Sequence, residues 1–295
     1  KNSFKIKKKN NNYFITGKLL DGTAIVNAIL ENENQNKTYL FERLNNKFYI
    51  DINKFYFDQS SHVNNLKGLI EYDDNKITKL VLDSYFDNNE ILKLKIATND
   101  QGEQITNLYT RYPKPLIKRY KFIKGFDDGV LDLQSIKKNN VSNTVLIIDN
   151  FKVKEVPILA KLLTLASLQG IADLLTGEGV RFTDFEMRSK KKGNLTEISE
   201  IYAIGPAVSL MMEGYIEKNK ITSLRGTLVP ATTINRTISS IPILGDILVG
   251  KKVGEGVFGV SFKIKGPPKN LKTTVNPVKT LTPRFITRTL EKIKN

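Results

Sequence analysis

The stretch AVSLMMEGYIEKNKITSLRGTLV, residues 207–229, changes character every second residue. Val208, Leu210, Met212 and Ile216 fall on one face around Gly214, a short polar turn follows, and a second apolar-punctuated run carries Leu224 and Leu228. A period of two is the period of a pleated strand, so this stretch predicts a hairpin with one greasy and one wet face. Downstream, GVFGVSFKIKG repeats the pattern: Phe258, Val260, Phe262 and Ile264 share one face, Gly259, Ser261, Lys263 and Lys265 the other.

Working outward, NKFYIDINKFYF, KLVLDSYF, ILKLKIA and NTVLIIDNFKV carry further strand signals between turns of Asn, Asp, Gly and Lys. No βαβ rhythm appears, so a largely antiparallel, meandering sheet is expected. An internal echo strengthens this: GLIEYDDNKITKL from Gly68 and GYIEKNKITSL from Gly214 share a Gly-x-Ile-Glu opening, a polar turn and Asn-Lys-Ile-Thr-x-Leu. Each copy predicts a hairpin, and repeated hairpins suit a sheet in which each pairs mainly with its neighbours. The expected fold class is mainly β: an elongated, curled antiparallel sheet forming a U-shaped groove, with one inserted amphipathic helix and short C-terminal helices.

The inserted helix is expected near residues 157–176. Leu159, Leu162, Leu163, Ala166, Ile171, Leu174 and Leu175 recur at three- and four-residue spacing, Pro157 suits a first turn, and Gly177 and Gly179 suit a stop. The segment is barely bilayer length and carries Lys161 and Asp173, both expensive at mid-membrane, so it is not expected to span. Packing on the sheet, closing an open apolar trough and touching a membrane all remain open to it.

The 295 residues carry 46 Lys and Arg against 30 Asp and Glu, a formal charge of +16. Such a balance attracts phosphate or anionic lipid. The basic clusters at Lys7–Lys9, Lys118–Lys124 and Arg188–Lys192 nonetheless fit no base-reading motif, and nucleic acid is not expected as a partner. Cysteine is absent, which removes disulfides and thiolate chemistry. The single histidine, His62, lies in the polar run DQSSHVNNLKG with no second His or Cys to share a metal, and reads as a surface residue. GEGVFG, from Gly254, matches a dinucleotide fingerprint by letter but continues as a strand instead of a helix. No enzyme, cofactor or metal is expected, and there are no candidate catalytic residues.

Five ordered blocks extend the reading: DNFKVKEVPILAKLLTLASLQGIADLLTGEGVRFTDFEM, AIGPAVSLMMEGYIE, LRGTLVPATTINRTISSIPILGDILVG, GEGVFGVSFKIKGPPKN and VNPVKTLTPRFITRTL. In this order, with their Pro and Gly positions, they resemble the C-terminal region of AsmA-like proteins, closest to the YhdP-like branch of Gram-negative bacteria, over roughly residues 145–290. LKGLIEYDDNKITKLVLDSYF and IATNDQGEQITNLY are similar to the preceding β repeats. The resemblance implies residues 1–140 as a β-repeat groove segment and 141–295 as the AsmA-like C-terminal region.

It also implies a periplasmic protein, held in the inner membrane by an N-terminal helix outside this chain, that carries phospholipid between inner and outer membranes. In that setting Val208, Leu210, Met212, Ile216, Leu224, Leu228, Phe258, Val260, Phe262 and Ile264 are expected to line a lipid groove. The amphipathic helix is expected to close that groove or contact a membrane, and an envelope protein is a possible partner. The alternative is a cell-envelope scaffold or outer-membrane assembly factor with a packed, lipid-free interior.

Overall fold

The computed structural model describes residues 2–10, 12–31, 45–73, 76–118, 124–166, 168–230, 259–268 and 270–278. In chain order its elements are β1 (Ser3–Lys9), β2 (Asn12–Asp21), α1 (Thr23–Glu31), β3 (Asn46–Tyr56), β4 (His62–Asp73), β5 (Lys76–Tyr85), β6 (Ile91–Thr98), β7 (Gln104–Thr110) and α2 (Lys114–Ile117). These are followed by β8 (Lys124–Lys138), β9 (Val141–Lys154), α3 (Pro157–Leu165), α4 (Gln169–Thr176), β10 (Val180–Lys192), β11 (Leu195–Ile204), β12 (Val208–Glu217), β13 (Ile221–Pro230), β14 (Gly259–Gly266) and β15 (Lys272–Val278). The chain is mainly β: these strands form one non-closed sheet whose order is the order of the sequence, from β1 to β15.

Sequence order and sheet order coincide because short polar turns can only return a strand beside its predecessor, which makes an antiparallel meander. The pairs from β3–β4 to β7–β8 and from β11–β12 to β14–β15 are antiparallel, most of them across short turns, with α2 lying between β7 and β8 and residues 231–258 between β13 and β14. One pair breaks the rule. β2 and β3 run parallel, with Ile15 beside Ile50. Parallel neighbours need a crossover, and α1 lies in that connection, a helix that strand periodicity elsewhere in the chain did not announce.

Contacts divide the chain into two compact units. Unit 1 is Lys1–Leu116, Asp128–Leu146 and Lys190–Asn194; unit 2 is Ile117–Asp127, Ile147–Ser189 and Leu195–Asn295. In unit 1, Phe57, Val63 and Phe86 form a buried cluster at the ends of the hairpins, joined by Val26 of α1, Leu116 of α2 and Tyr112. Phe86 stacks edge-on with both Phe57 and Tyr112, which locks the turns that separate β3 from β4 and β5 from β6.

In unit 2 the expected single helix is two. α3 ends at Leu165, and the Leu168 N–H reaches back five residues to the Leu163 carbonyl, a closing bond instead of a continuing one. Leu168 itself takes non-helical angles and precedes α4. The break lets each half orient its own apolar stripe, which one straight rod cannot do. The short C-terminal helices expected from TPRFITRTLEKIKN lie outside the described residues.

Candidate functional site

In unit 1 the strand registers line up one apolar row. Residues directly opposite in paired strands project to the same face, and the pairings run Ile6, Ile15, Ile50, Gly68, Leu82, Leu94, Leu108, Leu133 from β1 to β8. From Ile15 to Leu133 the apolar members are only half-buried. Gly68 interrupts the row without breaking it, because a Cβ there would come within 2.6 Å of Leu82 Cδ2, so the leucine already occupies that space. A second row beside it, Tyr13, Phe48, Ile70, Leu80 and Ile96, is tighter: Phe48 and Leu80 are buried, and Tyr13 stacks on Phe48 at 5.1 Å.

The other face of the same strands is charged in alternation. Asp51, Lys67, Asp83 and Lys93 are successive cross-strand neighbours, opposite charges at each step. Lys47 and Glu71, also directly opposite, close an ion pair at 3.3 Å. These charged rows suit water, but the face is mixed: Leu69 and Val81 are direct neighbours on it, and Phe14 stacks on Tyr49 there.

The residues predicted to line a groove lie together in unit 2. Leu210, Leu228 and Val260 form one row; Met212, Gly226 and Phe262 the next; Gly214, Leu224 and Ile264 the third; Ile216 sits beyond them opposite Thr222. Their exposure is graded. Val208, Leu228, Val260, Phe262 and Ile264 are buried, whereas Leu210, Met212, Ile216 and Leu224 are half-buried. Phe258 lies outside the described residues. The Phe262 ring covers Gly226, where a Cβ would sit 2.6 Å from its Cζ.

Among the helix positions, Leu159, Leu162, Leu163 and Leu175 are buried, with Ala172 added, while Ala166 and Ile171 are half-buried. The side chain of Leu174 lies outside the description. α3 packs on α4 and also against β15, the last strand of the order, although it is inserted between β9 and β10. Phe126, Phe151 and Phe182, one from each of β8, β9 and β10, stack as a buried ladder at 5.3 and 5.5 Å, with Phe185 edge-on to Phe151. On the polar face of unit 2 an open depression of about 430 Å³ is lined in part by Met211, Glu213, Arg225, Thr227, Ser261 and Lys263, and the Arg225 guanidinium holds Glu213 at 2.7 Å.

His62 is half-buried, beside an exposed carboxylate. It is the first residue of β4, its side chain is only 16% exposed, and its Nε2 lies 3.0 Å from Asp87 Oδ1, with the Tyr56 ring against it. Asn64 Nδ2 donates to the same oxygen at 2.8 Å, and these two hydrogen bonds, Asn64 first, hold the Asp87 carboxyl below the usual carboxylate range. Among the described residues no group of three or more His, Asp or Glu side chains is placed to hold a metal, and no helix is long and apolar enough to cross a membrane. Of the glycine-rich motif, Gly254 to Phe258 lie outside the described residues, and Gly259 opens strand β14.

Comparison with protein-family models, with curated proteins and with solved structures found no match.

The half-open row of unit 1 escaped the sequence analysis, although its signal was present. ILKLKIA shows that Leu92, Leu94 and Ile96 share a face. Nothing in a single strand says that Leu94 continues Leu82 on one side and Leu108 on the other; register decides that.

Proposed function

We propose that this chain is a lipid-holding segment of an AsmA-like cell-envelope protein, working through surface and not through chemistry. Acyl chains lie along the apolar face, the charged face stays in water, and phospholipid moves between inner and outer membranes without crossing the periplasm unprotected. The observation that carries this is the half-buried row from Ile15 to Leu133, seven strands wide with Gly68 included. At ~4.8 Å between strands the row spans about 29 Å, close to the ~30 Å hydrocarbon thickness of a bilayer. Moving two acyl chains through water costs on the order of 20 kcal/mol at ~0.8 kcal/mol per methylene, and a row of this length removes much of that barrier.

The buried positions of unit 2 support a closed counterpart. With α3 against β15 and Leu228, Phe262 and Ile264 out of solvent, that unit reads as packed core, and the helix as its cover. A scaffold with a lipid-free interior draws on the same burial, so the two readings part at the half-open row. The test is native mass spectrometry of the chain purified from an expressing bacterium in mild detergent, followed by lipid extraction. Co-purified phospholipid is the expected result. A folded chain that carries none assigns the face to protein partners.

A further inference from the structure

Three rows cross the mixed face of unit 1 in register from β3 to β6. They are Asp51, Lys67, Asp83 and Lys93; then Tyr49, Leu69, Val81 and Lys95; then Lys47, Glu71, Lys79 and Ala97. The outer rows set acid beside base at each step until Ala97. The middle row is apolar over three strands, and Phe14 of β2 extends it by stacking on Tyr49 at 5.0 Å. Tyr49 is 38% exposed, and Leu69 and Val81 are only half-buried. An open apolar centre rimmed by charge is the make-up of a contact surface.

The pattern is complementary to itself. A second copy laid face to face, about a two-fold axis running along the strands between β4 and β5, exchanges β3 with β6 and β4 with β5 and keeps each row over its own copy. Asp51 then faces the partner's Lys93, Lys67 the partner's Asp83 and Glu71 the partner's Lys79, and symmetry makes each contact twice. In the middle row Leu69 meets the partner's Val81 and Tyr49 the partner's Lys95, an apolar pair and a cation over a ring. No like charges meet across these four strands. An axis along the middle row would instead set Lys95 against the partner's Lys95, so the charges select the first arrangement.

We propose that this face is the interface of a two-fold dimer of the chain. Two sheets pack face to face with their strands about 30° apart, so the match is closest at the axis, over Lys67, Leu69, Val81 and Asp83, and loosens towards the rim. From β2 to β7, strands at ~4.8 Å and three rows at ~6.8 Å give roughly 600 Å² per copy and ~1,200 Å² in all, the low end of specific interfaces. The dimer is therefore weak and concentration-dependent. The partner takes the place of water over the middle of this face, whatever occupies the apolar row on the other.

Asp51 and Lys93 make the test: both are exposed, and within one chain they lie three strands apart, about 14 Å, so they can meet only between copies. Sedimentation velocity of the whole chain should show a monomer–dimer equilibrium that weakens as salt rises. Asp51→Lys alone and Lys93→Asp alone each set like charges together twice and should weaken the dimer roughly tenfold. The chain carrying both changes should regain it, and the two single variants, once mixed, should pair with each other. Circular dichroism checks that each variant folds. Carbodiimide joins a lysine to a carboxylate in contact, so on the native chain it should link Asp51 to Lys93 in the covalent dimer only, a readout that needs no variant. A native chain that stays monomeric up to ~1 mM, single variants that dimerise like it, a folded double variant that stays monomeric, or a native monomer that binds anionic vesicles through this face would each overturn the proposal.

Discussion

Replacing Leu94 and Leu108 together by Asp tests whether the half-open row holds acyl chains. The two leucines are direct cross-strand neighbours in the middle of the row, both half-buried. If each shields roughly three methylenes of a bound chain at ~0.8 kcal/mol apiece, the pair contributes about 5 kcal/mol, a few thousandfold in lipid affinity. The cost to folding is expected to be far less than for a sealed core leucine, because the new carboxylates reach water. The matched control uses the same two strands: Lys95 and Asn107 are also direct neighbours, on the charged face. Lys95→Asp with Asn107→Asp adds comparable negative charge to the same backbone without touching the row. Lipid retention is read by native mass spectrometry, and folding by circular dichroism and thermal melting. The row variant should melt cooperatively and carry no phospholipid, and the control should carry as much as the native chain. A folded row variant that keeps its lipid, or a control that loses lipid equally, refutes the reasoning.

Three further outcomes follow from particular residues. Leu163, fully buried in α3, should cost about 2–5 kcal/mol as Leu163→Ala in a denaturant titration, because the helix loses the packing that seats it. Gly214→Ala should destabilise by more than ~1 kcal/mol in the same assay, since Gly214 has φ +143° and a Cβ there would meet the Ser223 carbonyl at 2.1 Å. Asp87 has its carboxyl held low by Asn64 and His62, so its contribution is present above the unfolded-state value, near pH ~4, and is lost as pH falls through the lower folded value. Asp87→Asn should flatten that part of the acid melting profile and leave the neutral-pH side of the carboxylate contribution unchanged in shape.

Much of the fold was legible because strand periodicity is local. Each of NKFYIDINKFY, ILKLKIA and GVSFKIKG carries its own alternation, and each falls on a strand. The two echoed hairpins, from Gly68 and from Gly214, are antiparallel pairs that set the glycine opposite a leucine, Leu82 in one and Leu224 in the other. By itself, then, the amino-acid order determined that the chain is β, where many of its strands lie, and which residues of a strand share a face, since these depend only on chirality and the pleat.

What only the tertiary structure decided is non-local. The parallel β2–β3 pair, the division of the helix at Leu168, the approach of α3 to β15 and the linkage of Ile15, Ile50, Leu82, Leu94, Leu108 and Leu133 into one row all depend on register and packing between segments far apart in sequence. So does the difference between Leu228, sealed, and Leu224, half open, on the same strand and the same face. Parity says which side chains face alike; what covers them depends on which other segments the fold brings over them.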